Sequence, residues 1–148
     1  MQTYSLADPR LYEKVVTDHG GLFPGVYRLH FRRASGEFDT IQRLLGSDPE
    51  GVLYIGLSVS VPYRLGSLKK SVSAAYQRDG FIDPSPHQCG RKIIQSAKFI
   101  ERFPFDGLCV SVQPYEEVGQ RDSGHTKLEW CLLSEYFAEF GEFPPLNG

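Results

Sequence analysis

Three short segments with alternating apolar residues constrain the fold most strongly. Residues 25–31, GVYRLHF, place Tyr27, Leu29 and Phe31 two positions apart, which is the spacing of side chains on one face of a β-strand. Residues 52–58, VLYIGLS, and 107–115, GLCVSVQPY, have the same strand character. Segments with helical spacing stand between and after these strands, so the pattern predicts a single α/β domain.

The helices are predicted from apolar residues three and four positions apart. Five segments are expected to be helical or to contain a helical turn: 8–16, 41–45, 60–76, 91–103 and 124–142. The fourth follows a loop that contains proline and glycine, residues 79–90. The fifth is the clearest, because Leu128, Leu132, Tyr136 and Phe140 form one stripe and Gly141 is placed to end the helix.

Length and composition restrict the class of protein. A chain of 148 residues fits one domain, and no stretch approaches the roughly 18 consecutive apolar residues of a membrane span. Because the first residues also lack a signal-peptide pattern, a cytoplasmic protein without a membrane partner is expected. The cysteines Cys89, Cys109 and Cys131 are far apart and show no C-x-x-C spacing, which favours neither a disulfide framework nor a zinc site.

The net charge of −2 hides an uneven distribution. Residues 61–102 contain eight cations and three acids, a net charge of +5, whereas residues 103–148 have a net charge of −6. A basic segment of this kind is able to follow a phosphate backbone, and Lys69, Lys70 and Lys92 are the candidate nucleic-acid contacts. The alternative is an ordinary solvated helix face.

The order of several residues resembles that of the GIY-YIG nuclease domain. The resemblance rests on Gly25-Val26-Tyr27, Tyr54-Ile55-Gly56, Arg64 ten residues after Tyr54, Glu129 on a later helix, and Asn147. It implies a small central three-stranded, mainly antiparallel sheet flanked by helices. It also implies one domain over residues 1–148, with a core of about 22–148 and an N-terminal extension, 1–21. The first motif reads GVY, and the gap between the two motifs is longer than in many members.

The resemblance implies hydrolysis of phosphodiester bonds with Mg²⁺ or Mn²⁺. Tyr27 would orient or deprotonate the attacking water, and Tyr54 would hold its partners by hydrogen bonds. Arg64 would offer its planar fork of donors to the phosphate. Glu129 would be the sole protein ligand of the metal, because Mg²⁺ keeps most of its waters. Each residue has a plainer alternative: strand packing for the tyrosines, a surface position for Arg64, and a capping box with Thr126 for Glu129.

The segment HQCGRK, residues 87–92, is a second candidate region. It resembles a His-Gly-Arg segment of some members of that family, so His87 is expected to share the activation of water and Arg91 competes with Arg64 for the phosphate. A turn that introduces a basic helix is the alternative. Gly25, Gly56 and Asn147 are predicted to be structural.

Together these features predict a metal-dependent endonuclease that acts on DNA, with RNA as a further candidate substrate. One such site cuts one strand, so cleavage of both strands requires a homodimer or two successive binding and cleavage events. The alternative is a catalytically silent member of the same fold that binds nucleic acid or another partner.

Overall fold

The fold is described by a computed structural model that covers residues 2–77, 87–115 and 124–148, and all their side chains except those of 124–127. The strands are β1 (Gln2–Ser5), β2 (Gly25–Phe31), β3 (Ile41–Arg43), β4 (Gly46–Asp48), β5 (Tyr54–Ser58) and β6 (Leu108–Pro114). The helices are α1 (Leu11–His19), α2 (Val61–Gln77), α3 (Gln88–Ile93), α4 (Ala97–Arg102) and α5 (Gly124–Phe140), and a short 3-10 turn spans Phe105–Gly107.

The central sheet has the strand order β1-β6-β2-β5, and every neighbouring pair is antiparallel. The α/β class predicted from the sequence is therefore confirmed. The predicted strand count of three differs from the four described strands, because residues 2–5 form β1 and pair with residues 109–112 of β6. The sequence pattern does not indicate this strand, because residues 2–5 are mostly polar and show no alternating apolar pattern. A polar strand of this kind is compatible with its position at an edge of the sheet.

Residues 41–48 form a separate hairpin of β3 and β4, so the predicted helical turn at residues 41–45 is wrong. Tertiary contacts explain the difference. The backbone N–H of Leu44 donates to Glu142 Oε2, that of Leu45 donates to the carbonyl of Phe140, and Arg43 forms an ion pair with Glu142 at 2.7 Å. These partners lie about 100 residues along the chain and cannot be read from local spacing.

The predicted helix over residues 91–103 is two helices, α3 and α4. Ser96 separates them, because its Oγ accepts a hydrogen bond from the N–H of Phe99 and caps the start of α4. The end of α5 agrees with the prediction, since Gly141 has a φ of 79° and its N–H donates to the carbonyl of Phe137.

Apolar side chains pack on both faces of the sheet. On the first face, Tyr27, Leu29 and Val110 pack against Leu65 and Leu68 of α2, and α1 and α3 belong to the same cluster. On the second face, α5 covers the sheet through a smaller cluster: Val26, Val52, Ile55, Leu128, Tyr136 and Phe140. None of the helices in the described ranges combines the length and the apolar character needed to cross a membrane.

Candidate active site

The two tyrosine motifs meet on neighbouring strands of the first face. In the register of β2 and β5, Tyr27 lies opposite Gly56, and the Tyr27 and Tyr54 ring centroids are 6.0 Å apart. A Cβ at position 56 would lie 2.5 Å from Tyr27 Oη and 2.7 Å from Tyr54 Cε1. Glycine is therefore required at this position because the two phenols occupy the space that a side chain would need.

His87 reaches the same point from the start of α3. Its ring lies 5.2 Å from that of Tyr54 and 6.2 Å from that of Tyr27, and the residue is 1% exposed. Close packing of α3 on α2 brings it there. Ser71 Oγ donates to the His87 carbonyl at 2.9 Å, and a Cβ at Gly90 would lie 2.5 Å from the carbonyl oxygen of Ser71.

Both ring nitrogens of His87 have partners, which fixes the position of its proton. Nδ1 accepts a hydrogen bond from the N–H of Cys89 at 3.1 Å and caps α3. The neutral ring therefore carries its proton on Nε2, which donates to Tyr27 Oη at 2.8 Å. Burial and the charges of Arg64 and Arg91 lower the pKa of His87 from 6.5 to about 3. Near neutral pH the ring is a hydrogen-bond donor to Tyr27.

The two phenols differ in their surroundings. Burial raises the pKa of Tyr27 well above its ordinary value, although a hydrogen bond from Arg64 opposes this rise. Burial also raises the pKa of Tyr54, to about 12, and the charge of Arg64 opposes this rise. Tyr27 Oη thus accepts a hydrogen bond from His87, and the ring of Tyr54 and the charge of Arg64 lie beside it.

Arg64 and Arg91 have different positions in the site. Arg64, on the first turn of α2, is half-buried, and its charge acts on Tyr27, Tyr54, His87 and Cys89. Arg91 is exposed on α3, and its charge acts on His87. Of the two guanidinium groups, Arg64 is the one that lies against both phenols.

Glu129 belongs to α5, which covers the opposite face. Burial is the main cause of the raised pKa of Tyr54 and of Tyr115, and the charge of Glu129 adds to both. The side chain is half-buried. The capping-box alternative does not hold, because α5 begins at Gly124 and Thr126 is already inside the helix. Within residues 2–77, 87–115 and 124–148, no three His, Cys, Asp or Glu side chains gather closely enough to hold a metal ion together.

The three candidate lysines are not equivalent. Lys69 is half-buried, and its ammonium group donates to the carbonyl of Asp8, so it ties α2 to the segment before α1. Lys70 is exposed on α2. Lys92 is half-buried on α3, and its charge acts on Cys89.

The remaining predicted residues hold the strands of the site. Gly25 faces β6 closely, because a Cβ there would lie 2.5 Å from the carbonyl oxygen of Gln113. Asn147 binds the backbone of Ile55 twice, accepting from its N–H at 2.8 Å and donating to its carbonyl at 2.9 Å. Both contacts are to the residue that follows Tyr54 on the edge strand β5.

Sequence reasoning missed the residues that seat His87, which are Ser71, Cys89 and Gly90. Gly90 stood in the segment already singled out, and a glycine inside a predicted helix start is a signal of close packing. Ser71 gave no signal, because its role depends on the packing of α3 against α2.

Comparisons of the chain with protein-family models, with curated proteins and with solved structures gave no match. The function is therefore inferred from the site.

Proposed function

We propose that this protein is a metal-dependent endonuclease that hydrolyses DNA phosphodiester bonds and that its fold is of the GIY-YIG kind. The observation that supports this most strongly is the joining of Tyr27, Tyr54, Arg64 and His87 at one point by hydrogen bonds and ring contacts. These residues come from β2, β5, α2 and the start of α3, so four separate elements converge there.

Arg64 is the residue proposed to bind the scissile phosphate. Phosphodiester hydrolysis builds negative charge on the phosphate oxygens, and a guanidinium group offers two parallel donors to such a group. Because Arg64 is half-buried, water screens its charge less than that of exposed Arg91. Its contact with Tyr27 also holds the guanidinium beside the phenols.

Tyr54 is proposed to orient the attacking water, in place of the role first predicted for Tyr27. Tyr27 is 0% exposed and its oxygen already bonds to His87, whereas Tyr54 is 5% exposed. With a pKa of about 12, Tyr54 is protonated near neutral pH, so its first task is positioning. A nearby cation would favour its ionised form.

His87 is proposed to be a positioning residue. Its single ring proton is donated to Tyr27, and its other nitrogen is occupied by the N–H of Cys89. A ring with a pKa of about 3 is neutral near pH 7 and has no free lone pair toward water, which argues against a role in activating water.

The residues fit a magnesium site with a single carboxylate. Mg²⁺ is commonly held by one or two carboxylates together with waters and substrate phosphate oxygens, and Glu129 is the carboxylate whose charge reaches Tyr54. Glu129 would hold the ion. The ion would supply charge stabilisation for the phosphate and the leaving oxygen.

The charge of α2 and α3 supports a nucleic-acid partner. These two helices contain five cations and no acid; the cations are Arg64, Lys69, Lys70, Arg91 and Lys92. Such a layer attracts a phosphate backbone, and binding should weaken steeply as salt rises. DNA is proposed as the substrate, and RNA is compared with it in the test.

The proposal is tested by nicking of supercoiled plasmid with Mg²⁺, with Mn²⁺ and with EDTA. Glu129→Gln and Tyr54→Phe are compared with the wild type, and Glu135→Gln on the same helix is the matched control. Metal-dependent nicking that is lost in the first two and retained in the control is expected. A folded wild type that cuts neither DNA nor RNA would refute the nuclease and favour a silent binding module.

A further inference from the structure

The exposed side of α2 carries a stripe of small and basic residues that begins beside the proposed site. Tyr63, Gly66, Lys70 and Ser73 are three or four positions apart and therefore share one side of the helix. Along it runs a groove of about 510 Å³ lined by Gly66, Lys69, Lys70, Ser73, Ala74 and Gln77. We call this the α2 groove. Its small side chains leave the helix surface open to another backbone.

Two exposed tyrosines lie at the start of the α2 groove. Tyr63 is 62% exposed and precedes Arg64 directly, and Tyr12 of α1 is 40% exposed. Their ring centroids are 5.6 Å apart, and the two rings are tilted by 51° relative to each other. The contact holds the Tyr63 ring in place while most of it stays open to solvent. A ring held this way can stack on a base at low cost in conformational entropy.

The positive charge of the α2 groove favours binding of a polyanion. Helix α2 has three cations and no acid over its 17 residues. Lys70 is exposed on the groove, whereas Lys69 is committed to the carbonyl of Asp8. An aromatic ring followed by lysines and small residues is the combination that single-stranded nucleic-acid sites use, in which bases stack and the backbone meets positive charge.

We propose that the α2 groove binds the strand that flanks the cut phosphodiester, with an unpaired base stacked on Tyr63 and a backbone phosphate at Lys70. The inference rests on the proposed nuclease function and deepens it, because it assigns as substrate a DNA with unpaired nucleotides beside the cut. It also gives helix α1 a role, since Tyr12 holds Tyr63.

The test measures binding of the full chain to a fluorescent 16-nucleotide oligothymidylate and to a 16-base-pair duplex, in EDTA and at several salt concentrations. Tyr63→Ala should weaken binding of the single strand about five-fold or more, with the salt dependence retained. Tyr63→Phe, which keeps the ring, should stay within about two-fold of the wild type. Lys70→Gln should reduce the slope of log affinity against log salt by about one for both ligands.

Arg33→Gln, on the loop after β2, is the matched control and should change neither affinity nor slope. Unchanged single-strand binding by Tyr63→Ala would overturn the stacking role, and an unchanged slope in Lys70→Gln would overturn the phosphate contact. Competition by polyglutamate as effective as that by oligothymidylate would indicate an acidic protein partner instead. Metal-dependent cleavage that is insensitive to the groove variants would overturn this inference and leave the proposed nuclease function standing. Groove-dependent binding without any cleavage would overturn the nuclease function and leave the binding groove standing.

Discussion

Among the residues whose side chains the structure describes, two histidines are buried; they lie on opposite faces of the sheet and differ in where their hydrogen bonds lead. On the second face, His30 donates from Nδ1 to the Glu50 carbonyl at 2.8 Å and accepts at Nε2 from Ser111 Oγ at 2.8 Å. His87 has the opposite tautomer, and its proton goes to the phenol of Tyr27. Burial lowers the pKa of both rings.

This difference teaches that burial and a shifted pKa do not by themselves mark an active site. The network of His30 ends on a backbone carbonyl and a serine, which satisfies polar groups and goes no further. The second face also has a pocket of about 330 Å³, but Arg28 shares it with Asp48, Glu50, Glu135 and Glu139. These four carboxylates repel a phosphate. His87 instead contacts the two phenols, Tyr27 and Tyr54, beside the basic helices α2 and α3.

The largest difference in nicking rate is expected between variants of the two arginines, one on each face. Arg64→Lys removes the fork of donors and should lower the rate of plasmid nicking about 100-fold or more. Arg28→Lys, its counterpart on the second face, should change the rate by less than about three-fold, since Arg28 contacts Gln113 there. Equal losses in the two variants would contradict the assignment of the first face.

A tyrosine on each face gives the second test. Tyr54→Phe should lower the nicking rate about 100-fold with little change in the free energy of unfolding. Tyr136→Phe should do the reverse, because Tyr136 donates to the buried carboxylate of Asp48 at 2.7 Å. Loss of that donor should cost about 1–3 kcal/mol in urea unfolding. A Tyr136→Phe protein that is as stable as the wild type but does not nick DNA would contradict this comparison.

The residues singled out from the sequence lie close together in the structure, whereas parts of the fold around them differ from the prediction. Tyr27, Tyr54, Arg64 and His87 were singled out from motif order and spacing, and the structure brings them together. The roles of these four residues were harder to predict from the sequence. For example, the position of the proton on His87 depends on the N–H of Cys89 and on burial. Neither quantity is visible in a linear sequence.

The errors in the fold have a common cause. The hairpin of β3 and β4 is held by Glu142 and Phe140, and strand β1 is held by its pairing with β6. Both are short segments whose local pattern is weak, and partners far along the chain decide their structure.

The third test uses pH. Between pH 6.5 and about 3, an unfolded chain binds a proton at position 87 that the folded chain does not bind. The free energy of unfolding therefore decreases as the pH falls, by up to about 1.4 kcal/mol per pH unit for each such histidine.

Urea unfolding between pH 6.5 and 5 should show this slope in the wild type and a smaller slope in His87→Gln. His30→Gln is the comparison from the second face and should also reduce the slope, because the pKa of His30 is lowered. Only His87→Gln should also reduce nicking at pH 7.5. A slope that stays unchanged in both variants would argue against buried neutral rings.

The smallest effect is expected at Gly66, which belongs to neither histidine network. No atom lies within 4 Å of the position that a Cβ would take there. Gly66→Ala should therefore raise the free energy of unfolding by about 0.5–1 kcal/mol through helix propensity alone. Thermal unfolding checks this, and destabilisation would show that α2 is packed more closely at this point than described.

The two hydrogen bonds of Asn147 to Ile55, with that of Leu146 N–H to the Leu53 carbonyl at 2.9 Å, have a consequence for biosynthesis. Strand β5 is an edge strand, and these contacts satisfy its open side around Tyr54. A ribosome makes residues 146 and 147 long after it has made β5. The backbone of β5 on either side of Tyr54 therefore gains these partners only after translation has passed these residues, so a nascent chain carries an unfinished candidate site.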